Sequence, residues 1–104
     1  MASDLVNLRI AIDQERIADF CRRWSVQRLS LFGSVLRDDF GPASDVDILV
    51  LLKPGARVGL IAFARMEDEL SGILGRKVDL VTVGGLRERI REQILAEAKA
   101  LYAA

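Results

Sequence analysis

Two short runs hold the residue types that could do chemistry. One is Gly33-Ser34. The other, ten residues further on, is Asp45-Val46-Asp47. In an extended strand residues two apart point to the same side, so Asp45 and Asp47 are expected to project together. Two adjacent carboxylates at the head of an apolar run repel each other and are costly to desolvate. A divalent cation relieves both penalties, and an all-oxygen set of carboxylates plus phosphate is what Mg²⁺ prefers. Gly33 has no side chain, so backbone amides there can approach a ligand closely. Ser34 adds a hydroxyl at the start of a helical turn, and amides at such a start make an anion site. Arg37, one turn later, can offer its planar fork to the same phosphate. Asp79, in Val78-Asp79-Leu80, supplies a third carboxylate able to orient or deprotonate an attacking hydroxyl. Carboxylates, a metal and a phosphate-binding turn together suit metal-assisted nucleotidyl transfer.

The elements that must position these residues can be read from periodicity. Ile17, Phe20, Cys21 and Trp24 fall at helical spacing, which predicts a helix over 13–24 with Asp13 as its N-cap. Residues 27–32 alternate as a strand and end at Gly33. A helical turn over 34–37 and a loop over 38–44, marked by Gly41-Pro42, follow. The β-branched apolar run over 45–52 reads as a buried strand. A second helix is expected over 58–74, with Gly75 as its C-terminal stop, and a third strand over 77–82. Residues 86–101 are expected to form a last helix with Leu86, Ile90, Ile94 and Leu101 inward. The order α-β-α-β-α-β-α gives an α/β (α+β) class: one domain, 1–104, with a small mixed sheet flanked by helices. If the first two strands are neighbours they run antiparallel, so Gly33-Ser34 and Asp45 meet at one end of the sheet. The helix at 58–74 provides a crossover that lets the second and third strands run parallel, bringing Asp79 beside the aspartate pair.

Composition removes several alternatives. The sequence has no histidine, which excludes a Ser-His-Asp triad and His-ligated zinc. Its single Cys21 cannot form an internal disulfide, which suits a reducing, cytoplasmic setting. Fifteen basic and fifteen acidic residues cancel, so no global positive field draws nucleic acid or an anionic membrane. No apolar run approaches the roughly 18 residues of a membrane span, and Met1-Ala2-Ser3-Asp4 lacks the basic-then-apolar order of a signal peptide. An apolar content of 51% in so short a chain hints at a partner. The remaining polar residues read as ordinary structure. Asp38 and Asp39 read as a solvated loop, Lys77 as protection of a strand end, and Tyr102 as packing of the last helix.

The segments Leu31-Phe32-Gly33-Ser34-Val35-Leu36-Arg37 and Ser44-Asp45-Val46-Asp47-Ile48-Leu49-Val50 resemble the DNA polymerase β-like nucleotidyltransferase superfamily, whose pattern is Gly-Ser, ten residues, Asp-x-Asp. Within it the chain is similar, over nearly its whole length, to the minimal nucleotidyltransferases, the MNT or MntA-like antitoxins. That resemblance implies ATP as substrate and Mg²⁺ as cofactor. It implies phosphate contact by Gly33 and Ser34, metal ligation by Asp45 and Asp47, and Asp79 as the third carboxylate. Arg37 matches a frequent arginine of the family, but the glycine that commonly follows it is Asp38 here. The implied partner is a HEPN-domain toxin, a small helical ribonuclease, which such proteins silence by transferring AMP to a tyrosine and with which the chain could form an oligomer. Two alternatives accompany it: an antitoxin that neutralises by binding alone, and a small-molecule transferase of the aminoglycoside-modifying type. Template-directed polymerase activity and direct nucleic-acid binding are not expected, since no basic groove or extra domain is present.

Overall fold

The computed structural model describes residues 12–36, 41 and 44–104. Helix α1 (Gln14–Arg23) starts where the Asp13 carboxylate accepts a hydrogen bond from the Arg16 amide at 3.2 Å, as the N-cap reading requires. Ile17, Phe20 and Cys21 are fully buried on its inner face. Burial pushes the Cys21 thiol up to about 12, so it stays protonated and idle at neutral pH.

Strand β1 (Val26–Phe32) follows and passes into a 3₁₀ turn over Gly33–Leu36. Strand β2 (Val46–Leu52), helix α2 (Leu60–Leu74) and strand β3 (Val78–Thr82) come next, with α2 closed by Gly75 at φ 67°. These boundaries lie within one or two residues of the sequence reading. Helix α3 (Glu88–Glu97) and strand β4 (Lys99–Ala103) complete the chain. The expected loop at 38–44 is described only at Gly41 and Ser44.

The sheet has the order β3-β2-β1-β4. β1 and β2 are antiparallel and β2 and β3 parallel, as the positions of the glycine turn and the crossover helix predict. One face of the sheet, with Leu29, Leu31, Val46, Ile48, Val50, Val78 and Leu80, is buried against α1 and α2. The two helices are clasped by Arg23, whose Nε donates to Asp19 at 2.8 Å and whose Nη atoms reach Glu69. Trp24 Nε1 also donates to Glu69, at 3.1 Å.

The C-terminal segment corrects the sequence reading. The helix does not run over 86–101. It ends at Glu97, Ala98 takes extended backbone (φ −62°, ψ 141°), and residues 99–103 add to β1 as an antiparallel edge strand. Lys, Ala and Leu favour helix locally. The open hydrogen-bonding edge of β1 overrides that preference, because burying β1 there satisfies its backbone groups and inserts Leu101, 6% exposed, into the core. Leu101 is therefore inward as expected, but from a strand. Ile90 is not inward: it is 45% exposed, and α3 has no fully buried residue. Tyr102 packs against the core from β4, opposite Leu29, rather than from a helix.

Candidate active site

The site grows out of strand register. Phe32, the last residue of β1, pairs with Asp47 on β2, and Asp47 pairs with Asp79 on β3. Neighbouring strands lie about 4.8 Å apart, and in-register residues share a face, so Asp47 and Asp79 stand side by side. This face lies opposite the one covered by α1 and α2. Asp47 is half-buried and Asp79 exposed. The parallel β2–β3 pair expected from the crossover helix is observed, and it sets Asp79 beside Asp47. Among the described residues, however, no three Asp, Glu or Cys side chains are close enough to hold an ion between them. The three carboxylates share one end of the sheet without converging on a point.

Gly33 shows why a glycine must end β1. Its φ is +77°, in the region that side chains disfavour. A Cβ placed there would overlap Asp47 Oδ2 and lie 3.1 Å from Asp47 Cγ. The Asp47 carboxylate thus sits directly against the glycine backbone, and the glycine turn and the acidic strand are in contact. Ser34, half-buried, follows at the head of the 3₁₀ turn. Arg37 lies outside the described residues, as do Asp38 and Asp39.

Asp45 precedes β2 by one residue. Its side chain is 44% exposed, and Lys77 Nζ lies 3.9 Å from Oδ2, so Lys77 faces an aspartate of the site rather than solvent alone. The backbone is tied at the same place: the Val46 amide donates to the Lys77 carbonyl at 2.8 Å. Two polar groups that the sequence reading did not single out hold β3. Glu67 Oε2 accepts from the Leu80 amide at 2.8 Å, and Ser71 Oγ accepts from the Val78 amide at 3.0 Å. Both come from α2 and cap the outer edge of the strand that carries Asp79. Their four-residue spacing beside the apolar stripe of Met66 and Leu70 is a visible signal that periodicity alone assigns to a solvated flank.

Comparison with known proteins decides the family. Residues 15–101 match the model of the nucleotidyltransferase domain. The chain belongs to the nucleotidyltransferase family. A curated relative of this nucleotidyltransferase, protein adenylyltransferase MntA of Thermococcus cleftensis, is 36% identical over 75 residues, covering 72% of the chain and 74% of the relative. Among solved structures, a crystal structure of a toxin–antitoxin with AMP-PNP aligns with a TM-score of 0.71 at 25% identity, over 89% of this chain and 75% of the other. A chain in the structure of tri-AMPylated Shewanella oneidensis HEPN toxin in complex with MNT antitoxin aligns at 0.63 and 26% identity, over 88% and 70%. The fold and the enzyme class expected from the Gly-Ser and Asp-x-Asp runs, those of a minimal nucleotidyltransferase, are confirmed.

Proposed function

We propose that this nucleotidyltransferase transfers AMP from ATP to a partner protein, and that the partner is a HEPN-type toxin which it silences by modifying a tyrosine. The observation that supports the reading is the contact of Gly33 with Asp47 beside Asp79, which joins a glycine turn and neighbouring carboxylates at one end of the sheet. The names of the relatives and neighbours, a protein adenylyltransferase and an AMPylated toxin with its antitoxin, supply the acceptor class. The whole chain, 1–104, acts as one unit in this reading.

The residues fit a divalent cation by their chemistry: hard carboxylate oxygens on adjacent strands, against a backbone that only glycine leaves open. Asp45 and Asp47 would hold Mg²⁺, and Asp79, which does not converge with them here, would join the set by turning its side chain toward them. When bound, the ion neutralises charge on the triphosphate. The chain's own groups do the rest. The amides after Gly33 and the Ser34 hydroxyl hold phosphate oxygens, with Arg37 as a further phosphate contact. Asp79, the most exposed carboxylate of the set, faces the acceptor and takes the proton of its attacking hydroxyl. The acceptor oxygen bonds to the α-phosphorus, and pyrophosphate leaves.

Labelled ATP and Mg²⁺, incubated with the protein encoded beside this one, are expected to label that protein. Asp47→Asn is expected to lower labelling at least a hundredfold, measured as initial rate, without unfolding the chain. Toxin neutralisation that survives Asp45→Asn with Asp47→Asn would instead establish silencing by binding alone.

A further inference from the structure

Asp45 and Asp47 sit on one stretch of chain and Asp79 on another, and like charges push those stretches apart. Something must hold their starting points together. Besides the 3.9 Å approach of Lys77 to Asp45, a second side chain reaches from one to the other. Arg76, three residues before Asp79, sends Nη2 to the Gly41 carbonyl at 2.6 Å and to the Ser44 carbonyl at 3.1 Å. Ser44 immediately precedes Asp45. Gly41 and Ser44 are themselves joined twice, by the Ser44 amide to the Gly41 carbonyl and by the Gly41 amide to Ser44 Oγ, each at 3.0 Å. The guanidinium therefore binds the carbonyls of two residues that are already hydrogen-bonded to each other.

We infer that Arg76 is a positioning residue of the nucleotidyl-transfer site, which sets the spacing of the Asp45–Asp47 strand against the Asp79 strand. The inference rests on the reading of those three aspartates as the metal and catalytic set. Arg76 adds a permanent positive charge near them, and its planar donors meet two carbonyls from one nitrogen. A lysine keeps the charge and loses that geometry. The adjacent backbone bond, Val46 amide to Lys77 carbonyl, sets strand register. Arg76 fixes what lies before it, where no strand pairing restrains Asp45. Groups that orient ligand residues in this way typically change metal affinity 10–100-fold when removed.

The test measures binding rather than turnover. Calorimetric titration of the whole protein with Mn²⁺ and the non-hydrolysable analogue AMP-PNP is expected to give a Kd about tenfold weaker for Arg76→Ala, with Arg76→Lys in between. Thermal melting of both variants accompanies the titration, at a temperature where each is folded. In the kinetic assay the Mg²⁺ concentration for half-maximal rate is expected to rise while the rate at saturating Mg²⁺ falls less. Unchanged binding by folded Arg76→Ala, beside normal binding by the parent, would overturn the role of Arg76 alone. Absence of Mn²⁺–AMP-PNP binding by the parent would overturn the site reading, and this inference with it. If Arg76→Ala does not fold, Arg76→Lys decides: parental affinity in that variant overturns the geometric role.

Discussion

Gly33 carries two separate constraints, and substitution can separate them. Its positive φ disfavours any side chain, and the Asp47 carboxylate fills the space a Cβ would take. Gly33→Ala is expected to cost about 1–3 kcal/mol in urea unfolding and to remove most nucleotidyl transfer by displacing Asp47. In an Asp47→Ala background the same change should cost less, because the overlap with Oδ2 and Cγ is gone and what remains is the backbone strain and a 3.3 Å approach to the Cβ of residue 47. A double-mutant cycle reads the difference as the contact between turn and strand. Gly33, Ser34, Asp45 and Asp47 were legible in the sequence only as a combination: a Gly-Ser pair alone reads as an ordinary turn and an aspartate pair alone as a solvated strand start, but the two at this spacing point to one site. Arg76 was not, because an arginine before a strand reads as a surface charge until its acceptor carbonyls are located.

Element edges are protected by side chains from a different element. β3 ends the sheet, and the amides of Val78 and Leu80 point away from β2. Ser71 Oγ and Glu67 Oε2 on α2 accept from them. Glu67→Ala with Ser71→Ala leaves two buried donors without acceptors, which is expected to cost about 2–4 kcal/mol in chemical denaturation. It should also raise aggregation, seen by light scattering, because an open strand edge is a pairing template. The α1–α2 clasp has a pH signature. The Arg23 hydrogen bond holds the Glu69 carboxyl below its usual range. The folded chain therefore binds that proton less readily than the unfolded chain. Its contribution is complete above about pH 4.3 and fades as the pH falls through the lowered folded value. Glu69→Gln is expected to flatten this acid limb of a stability–pH curve, modestly, because both partners meet solvent.

At the scale of the whole molecule, the last five strand residues decide how the sheet is closed. β4 covers the edge of β1 and puts Leu101 into the core. Leu101→Ala is expected to destabilise by about 2–4 kcal/mol, visible as a lower melting temperature, whereas a residue on the outward side of a terminal helix would cost far less. The opposite face of the sheet, away from α1 and α2, is the one that bears Asp47 and Asp79. From Asp47 that face continues through Leu49 to a mainly apolar cleft of about 230 Å³, also lined by Arg28, Ser30, Leu51, Val83 and, from α3, Leu95. α3 accordingly lies on the site side, with Ile90 and Leu95 each 45% exposed. None of the described helices is long and apolar enough to cross a membrane.

Local sequence determined where the chain turns, which strands are apolar, and which charged residues open them, since those follow from backbone sterics and from the cost of burying charge. It also implied that a glycine turn and two aspartates meet at one end of a sheet if the first two strands are neighbours, which the fold makes them. Tertiary structure alone decided the fate of residues 99–103, whose intrinsic preference for helix is outweighed by the unpaired edge of β1. It alone decided which side chains anchor the acidic strands as well, because Glu67, Ser71 and Arg76 act on backbone groups 7 to 35 residues away, and no local pattern records a partner that only folding brings near.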